Sequence, residues 1–315
     1  MLDLISVGEM VIDFLPGEEA GVYIRKAGGA PANAAIAVAR NGLSAGFCGR
    51  VGADDFGRFL LDTLKENQVT ALCPDMVEEA VTTMAFVTLG PGGERSFTFA
   101  RKPGADMFLT KADVDVALAQ GARILHAGSC SLSAPPASEA TAYALSQAAE
   151  RGYMVSFDVN YRDLMWGEDR AAAQASVATI LPYVDLLKIS EEETDFMGGQ
   201  ESIQAMAAET GIAVVVETLG AQGARCYWQD AVWEIPGRPA KAVDATGAGD
   251  AFWGGFLSCL LHNGVHSVQQ LTRSLLQEAM EYGNAAGWLC VQKKGAIESL
   301  PTLAEIERIR KESAL

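Results

Sequence analysis

The sequence predicts an α/β protein with a three-layer α/β/α core, a mostly parallel central sheet and a small second β-sheet. The first observation is an alternation of patterns. Short apolar runs, such as 4–7 and 214–218, are separated by longer helical patterns, such as 34–41 and 135–151. This order is typical of a parallel sheet covered by helices. The second observation is a pair of hairpin signals that interrupts the alternation and accounts for the second sheet.

The two hairpin signals lie at about 11–27 and 82–102. Turn residues at 17–21 separate the extended runs of the first hairpin, and those at 91–93 separate the runs of the second. A small sheet attached to an α/β core is suited to cover a site and exclude water from it. We therefore expect these two segments to form a lid.

The remaining elements follow from apolar periodicity and from turn residues. Apolar residues at 56, 59, 60 and 64 lie on one face of a predicted helix over 56–67. The segment 52–57 before it provides helix-capping acids. The other predicted strands are 46–52, 123–127, 153–158, 184–189, 225–228 and 232–235, and the other predicted helices are 251–261, 268–291 and 301–311.

Length and charge limit the classes of function. The chain has 315 residues, and its 24 basic and 40 acidic residues give a net charge of −16. This length fits one large domain, 1–315, with a small appendage. So acidic a chain argues against nucleic acid or an anionic membrane as partner, because both need a basic face. We expect a protein that acts on a small molecule.

The N-terminus has no basic stretch before its apolar residues, so it does not resemble a signal peptide. The longest apolar run, 251–261, is shorter than the ~20 residues that cross a bilayer. The cysteines show no CxxC spacing, and we expect them to be core residues in a reducing compartment, without metal or disulfide roles. They are Cys48, Cys73, Cys130, Cys226, Cys259 and Cys290. These features predict a cytoplasmic protein.

The segment DATGAGD at 244–250 joins an extended stretch to the apolar run 251–261. Its small residues let the backbone approach a ligand, and the first N–H groups of the following helix have no partner inside it, so an anion can bind there. A carboxylate at Asp250 would repel that anion, but it suits a general base that takes a proton from an attacking hydroxyl. The alternative is a tight turn with Asp250 as a helix cap.

This segment resembles the second signature of the ribokinase-like (PfkB) family of sugar and nucleoside kinases, which usually reads DTTGAGD; Ala245 is the one departure. The stretch GGAPANAAIAVARNG at 28–42 is similar to the first signature, in the form of the fructokinase branch. The resemblance implies the ribokinase-like fold and a base at Asp250. It also implies an anion hole made by the backbone of Gly247, Ala248 and Gly249.

The resemblance extends to sugar-binding positions. In this family the GG pair, the following Asn and an N-terminal Asp bind the sugar, and the matching residues are Gly28, Gly29, Asn33 and Asp13. The segment FDVNYRDLMW at 157–166 resembles the fructokinase form, and segment 95–106 resembles the family's lid region. Further candidate contacts are Asn160, Arg162, Phe97 and Arg101. Surface charge and protection of an edge strand explain Arg101 almost as well.

The nucleotide and metal positions are implied in the same way. Candidate nucleotide contacts are Lys188, Thr218, Gly220, Gly223, Gly249 and Asn284. Glu193 matches the Glu of the family's NxxE motif, which orders water around Mg²⁺, but Ser190 replaces the Asn. The segment 190–193 also fits a plain capping box that begins a following helix. A monovalent cation such as K⁺ is a further option, at Asp244, Thr246 and Ser299.

Three other classes of protein fit the sequence less well. A nicotinamide dehydrogenase needs GxGxxG after an early strand, and a P-loop kinase needs GxxxxGK[ST]; neither is present. A catalytically silent sugar-binding regulator would not need Asp250 beside an anion pocket. We therefore predict an ATP- and Mg²⁺-dependent kinase that phosphorylates a primary hydroxyl, with fructose as first substrate. The family resemblance also implies a homodimer formed through the lid. 2-Keto-3-deoxygluconate, ribose and aminoimidazole riboside remain alternatives.

Overall fold

The computed structural model describes residues 1–19, 21–89 and 95–313. Within these ranges the chain forms two β-sheets and ten α-helices. The strands are β1 (Leu2–Val7), β2 (Val11–Pro16), β3 (Tyr23–Gly28), β4 (Ala45–Cys48), β5 (Val69–Ala71), β6 (Met84–Leu89), β7 (Arg95–Ala100), β8 (Ala122–Gly128), β9 (Met154–Asp158), β10 (Leu186–Ser190), β11 (Val214–Thr218), β12 (Gly223–Trp228) and β13 (Ala231–Pro236). The helices are α1 (Ala30–Arg40), α2 (Asp55–Glu66), α3 (Lys111–Leu118), α4 (Ala137–Glu150), α5 (Arg170–Ile180), α6 (Ile203–Thr210), α7 (Ala248–His262), α8 (Arg273–Cys290), α9 (Ala296–Ser299) and α10 (Leu303–Ser313).

The large sheet has nine strands in the order β13-β12-β11-β10-β9-β8-β1-β4-β5. All neighbours from β5 to β11 pair in parallel, and only β12 and β13 are antiparallel. Successive strand residues pack into different cores: Leu4 and Val214 lie in one cluster, while Ile5 and Val215 lie in the other. Because strand side chains alternate between faces, helices must cover both sides of the sheet. The predicted three-layer α/β/α architecture is confirmed.

The small sheet has four strands in the order β3-β2-β6-β7. Aromatic rings hold one face together: Phe14 stacks on Phe86 with centroids 4.8 Å apart, and Tyr23 meets both rings edge-on. Phe56 at the start of α2 meets Phe14 at 5.7 Å, so the same cluster ties the small sheet to the core. The predicted turn at 91–93 lies outside the described residues.

The segment 52–57 has a structural role at the junction between the two sheets. Asp54 caps α2 by accepting from the Gly57 N–H at 2.7 Å, as predicted. Its carboxylate also accepts the N–H and the hydroxyl of Thr82, both at 2.8 Å. The Thr82 hydroxyl in turn accepts from the Gly52 N–H at 3.0 Å. These bonds fix the point at which the chain enters β6.

Two helix predictions were wrong in extent. The capping box at 190–193 begins only a 3₁₀ turn, Glu191–Glu193, and not a helix. Gly198 and Gly199 follow with φ of 96° and 89°, which a helix cannot contain. The predicted helix 268–291 is broken: Thr272 starts α8 anew by accepting from the Leu275 N–H at 3.3 Å. Three helices, α3, α5 and α6, were not predicted, because they are short or Ala-rich and show little apolar periodicity.

Within the ranges that the structure describes, no helix is both long enough and apolar enough to cross a bilayer.

Candidate active site

A buried ion pair lies where β9 and β10 approach the N-terminus of α7. The Lys188 ammonium bonds both carboxylate oxygens of Asp158, at 2.8 and 2.9 Å. Lys188 is 5% exposed and Asp158 is 2% exposed. A Cβ added to Gly249 would lie 3.3 Å from the Lys188 Nζ, so the ammonium sits directly beneath the first turn of α7. Sequence analysis named Lys188 but not its partner Asp158.

The loop 244–250 forms the turn that enters α7. Gly247 is the N-cap residue in the left-handed region, with φ of 79°, and a Cβ there would lie 2.9 Å from the Ala296 Cα. The Gly247 carbonyl accepts the Ala251 N–H at 2.8 Å. Among the described residues, no acceptor is found for the N–H groups of Gly249 and Asp250. These amides, at the positive end of the α7 dipole, are suited to hold an anion.

Asp250 is not a helix cap. One carboxylate oxygen accepts from the Asn33 amide at 2.7 Å, which joins α7 to α1. Burial raises the pKa of Asp250 above the ordinary aspartate value, and the charge of Asp158 adds to this; the Asn33 bond, Lys188 and Arg162 oppose it. A carboxylate with a raised pKa is a better proton acceptor, and here it lies beside amides that can hold negative charge.

Asp13 lies on β2 and faces the same space. Burial raises its pKa to about 7; the charge of Asp250 adds to the shift, and Arg162 opposes it. The predicted glycine pair explains how the strands can approach: a Cβ at Gly28 would lie 2.2 Å from an Asp13 oxygen, and one at Gly29 would lie 2.5 Å from the Glu9 carbonyl. Side chains at either position would displace Asp13 or the segment before it.

Glu9 is a buried acid that the sequence analysis missed. It is 4% exposed, and its Oε2 has no hydrogen-bond partner among the described residues. Burial raises the pKa of Glu9 to about 8; Asp106 and Asp250 add to the shift, while a backbone hydrogen bond and Arg101 oppose it. The only available signal was an acid between two apolar segments.

Replacing Glu9 by Gln is expected to flatten the pH dependence of folding stability. The ordinary pKa of the carboxyl is 4.5 and its folded value is about 8. Between these values the folded protein keeps a proton that the unfolded chain has lost, so the free energy of unfolding falls as pH rises, by up to about 1.4 kcal/mol per pH unit. Glu9→Gln removes this contribution.

Urea unfolding across this pH window measures the effect. The wild type should lose stability with rising pH more steeply than Glu9→Gln, and Glu66→Gln, at an exposed position, should match the wild type. Equal slopes for the wild type and Glu9→Gln would show that Glu9 is ionised in the folded protein.

The surface explanation of Arg101 was wrong. Its guanidinium is buried and pairs with Asp106 at 2.7 Å, and it donates to the Ser133 hydroxyl at 2.9 Å. Asp106 also accepts from the Thr83 hydroxyl, so the group ties the end of β7 to the start of β6. A sugar contact by Arg101 stays a prediction. The side chain of Phe97, on β7, lies outside what the structure describes.

Asn160 and Arg162 follow β9, at the carboxyl edge of the sheet where predicted. Asn160 has a φ of 35°, a left-handed conformation that Asn tolerates better than most residues. The Arg162 side chain is exposed and donates to the Tyr161 carbonyl at 2.9 Å. Its charge opposes the burial that raises the pKa of both Asp13 and Asp250.

Glu193 is buried and holds two backbone segments together. One oxygen accepts from the Ser190 N–H at 2.8 Å, and the other accepts from the Tyr161 N–H at 2.7 Å. The capping box is therefore confirmed. Burial raises the pKa of Glu193, with Asp158 adding and Lys188 opposing. Each oxygen still has a lone pair, so an additional bond to a metal-bound water is compatible with this geometry.

The predicted nucleotide positions surround the loop after β11. The Thr218 hydroxyl bonds the Ile189 carbonyl at 3.4 Å, and Gly220 and Gly223 take φ of 54° and 107°. A Cβ at Gly223 would lie 2.1 Å from the Ile235 carbonyl oxygen, so this turn requires glycine. The Asn284 amide donates to the carbonyls of Ile235 and Pro236 at 3.2 and 3.3 Å, which anchors β13 on α8.

The three residues suggested for a monovalent cation lie together. Asp244 accepts from the Thr246 N–H and hydroxyl, at 2.9 and 2.7 Å, and from the Gly295 N–H at 3.0 Å. Ser299 is fully buried and donates to the Ala296 carbonyl at 2.8 Å. Across the described ranges no group of three or more His, Cys, Asp or Glu side chains could hold a metal ion.

The structure thus brings Asp250, Asn33, Asp13 and the α7 amides to one site. A carboxylate with a raised pKa, amides aimed at an anion and a lysine beneath them can together remove a proton from a hydroxyl and stabilise negative charge. That is the combination needed for phosphoryl transfer to an alcohol.

Comparison with known proteins agrees with this chemistry. The family model described as "pfkB family carbohydrate kinase" matches residues 1–303. Fructokinase-1 of Oryza sativa subsp. japonica is 39% identical over 316 aligned residues, 97% of each chain. A fructokinase double mutant from Vibrio cholerae O395, in a fructose, ADP and potassium ion bound form, is 35% identical, with TM-score 0.87 and 98% coverage of both chains.

A second activity appears among the solved structures. Aminoimidazole riboside kinase from Salmonella enterica, complexed with aminoimidazole riboside and an ATP analogue, is 29% identical, with TM-score 0.84, and the match covers 97% of this chain and 99% of that one. The family match over almost the whole chain, the rice relative and the confirmed ribokinase-like fold agree. The chain belongs to the pfkB family of carbohydrate kinases.

Proposed function

We propose that this carbohydrate kinase is an ATP-dependent fructokinase that produces fructose 6-phosphate. The observation that carries the proposal is the position of Asp250. Its carboxylate has a raised pKa, accepts from Asn33 and lies in the first turn of α7, beside N–H groups that find no acceptor in the part of the chain that the structure describes. The rice relative and the Vibrio cholerae structure, both fructokinases, favour fructose among the sugars.

In the proposed reaction, Asp250 takes the proton of the primary hydroxyl as the oxygen attacks the γ-phosphorus of ATP. The N–H groups of Gly247 and Gly249 hold the charge that develops on the transferred group. The N–H of Ala248, the third residue of the predicted anion hole, donates to the Ala245 carbonyl at 3.2 Å. Asp13 and Asn33 hold the sugar so that its hydroxyl faces Asp250. Position and electrostatics supply most of the acceleration, since the α7 amides and Lys188 are already in place before substrate binds.

The remaining candidate residues are assigned by the same proposal. Phe97, Arg101, Asn160 and Arg162 surround the sugar, and Thr218, Gly220, Gly223 and Asn284 surround the nucleotide. Mg²⁺, when bound, would neutralise phosphate charge, and Glu193 would hold it through water. We assign a K⁺ site to Asp244, Thr246 and Ser299; the Vibrio cholerae fructokinase in a potassium ion bound form supports binding of this ion by a kinase of this kind.

The chain-level assignments also stay proposals. We propose one kinase domain over 1–315, with a lid at 11–27 and 82–102 that closes over the sugar, in a cytoplasmic enzyme that binds neither nucleic acid nor membrane.

The edge of the small sheet supports a homodimer through the lid, because Tyr23 and Ile24 of β3 are 45% and 49% exposed. Sedimentation velocity tests this: Ile24→Lys is expected to shift a dimer to monomer, and a wild-type monomer would exclude it.

An aminoimidazole riboside kinase is the second candidate, because the Salmonella enterica structure is similar over almost the whole chain. 2-Keto-3-deoxygluconate and ribose are further substrates to compare. ADP release with MgATP, measured against fructose and these three compounds, separates them. We expect the highest kcat/KM with fructose, no turnover when Mg²⁺ is chelated, and slower turnover when K⁺ is replaced by a larger organic cation.

Each outcome of this panel has a clear meaning. A higher kcat/KM with another compound would replace fructose and keep the kinase mechanism. Sugar binding by calorimetry without ADP release from any compound would instead indicate a silent sugar-binding protein.

A further inference from the structure

Two buried thiols are in contact at the edge of the large sheet. Cys48 ends β4, and Cys73 comes two residues after the end of its parallel neighbour β5. Their Sγ atoms are 3.3 Å apart, although the residues are 25 positions apart in sequence. Cys48 is fully buried and Cys73 is 6% exposed. No other pair of thiols is in contact within the ranges that the structure describes.

At 3.3 Å the two thiols are at hydrogen-bonding distance, and a disulfide needs sulfurs about 2.0 Å apart. The register pairs Phe47 with Ala71, so Cys48 lies beside the residue that precedes Cys73. Each sulfur would have to move by roughly 0.6 Å, which a small rotation about χ1 supplies. We propose that Cys48 and Cys73 form a reversible disulfide when the folded protein meets a peroxide.

The two cysteines differ in how they would react. Cys73 is slightly exposed and lies beyond a three-residue edge strand, where local opening is easiest. Cys48 differs, because the contact with Cys73 and the burial of its side chain both raise the pKa of the Cys48 thiol. Cys48 therefore stays protonated. Cys73 is therefore the first to be oxidised.

The Cys73 thiolate attacks one oxygen of hydrogen peroxide; the O–O bond breaks, and protonation of the leaving hydroxide gives water and a sulfenic acid on Cys73. The Cys48 sulfur then attacks the Cys73 sulfur, the S–O bond breaks, and the Cys48 proton leaves with the hydroxide as a second water. Two thiols and one peroxide become one disulfide and two waters. A dithiol reductant reverses the result by thiol–disulfide exchange.

The bond would connect segments that lead to the site. The Cys48 carbonyl accepts from the Gly8 N–H at 3.1 Å, so β4 and the segment before Glu9 are already joined. A disulfide would close a loop that contains α2 and β5 and would restrict the unfolded chain. The oxidised protein is therefore expected to unfold at a higher temperature than the reduced one.

Peptide mapping under non-reducing conditions tests the proposal on the native full-length protein. After treatment with hydrogen peroxide and thiol blocking, we expect tryptic peptide 41–50, which contains Cys48, to be linked to peptide 66–95, which contains Cys73. Dithiothreitol should release the two peptides and restore six free thiols. The wild-type map alone decides the main point, so no variant has to fold for the test to work.

Two variants sharpen the result. Cys73→Ser should lose the linked species and the gain in melting temperature, and Cys259→Ser, a buried cysteine on α7, should keep both. The proposal fails if peptides 41–50 and 66–95 stay unlinked at a peroxide concentration that oxidises exposed Met1. It also fails if a different cysteine pair is found. The kinase assay is not part of the test, so the outcome is independent of the proposed substrate.

Discussion

Asp250→Asn is expected to lower kcat by about 10³-fold, because a positioned general base typically contributes 10²–10⁴-fold. Asn keeps the size of the side chain and an oxygen that can accept from Asn33, so the contact between α7 and α1 survives. What disappears is the ability to take a proton as the hydroxyl attacks. Sugar affinity, measured by calorimetry, should change by less than about tenfold, and so should the KM for ATP.

A matched control separates the base from a general effect of charge. Asp55 also lies in the first turn of a helix, and its side chain is 88% exposed, so Asp55→Asn should retain wild-type kcat. The assay is steady-state ADP release together with circular dichroism of each variant. If Asp250→Asn were folded and its kcat stayed within tenfold of the wild type, Asp250 could not be the base, and the proton would have to leave through solvent.

The parts that the sequence predicted well are those set by local chemistry. The glycines of the 244–250 loop and of the pair at 28–29 predict that the backbone passes close to neighbouring atoms. The structure shows which atoms a Cβ at these positions would meet. Strand 214–218 was predicted to the residue, because the β-branched run 214–216 favours a strand and the turn residue Gly220 follows closely. The placement of Leu4 in one core and Ile5 in the other follows from the alternation of side chains along a strand.

The parts that could not be predicted depend on pairs distant in sequence. Asn33 and Asp250 are 217 positions apart, and nothing local to either residue indicates their contact. Arg101 was open to a surface interpretation because its partner Asp106 follows a turn whose direction the sequence does not give. Glu9 was missed because its raised pKa comes from burial, which depends on the packing of the whole junction.

Lys188→Met is expected to lower the free energy of unfolding by about 3–5 kcal/mol, the usual effect of removing one partner from a buried ion pair. Both carboxylate oxygens of Asp158 bond the ammonium, and Asp158 is only 2% exposed, so the variant would leave this carboxylate without its cation. Methionine is similar in length to lysine without its charge, so little of the loss should come from a cavity.

The double variant Asp158→Asn/Lys188→Met decides whether the pair or the packing carries this effect. If the loss in the single variant comes from the uncompensated carboxylate, neutralising Asp158 as well should restore stability. The coupling free energy between the two changes, measured by urea unfolding, should then be about 2 kcal/mol. Lys111→Met, at a side chain that is 54% exposed, should change stability by less than about 0.5 kcal/mol. Additive losses in the double variant would mean that packing, and not the ion pair, holds Lys188 beneath α7. Activity should fall in both variants that lack Lys188, because its ammonium lies under Gly249 at the proposed phosphate pocket.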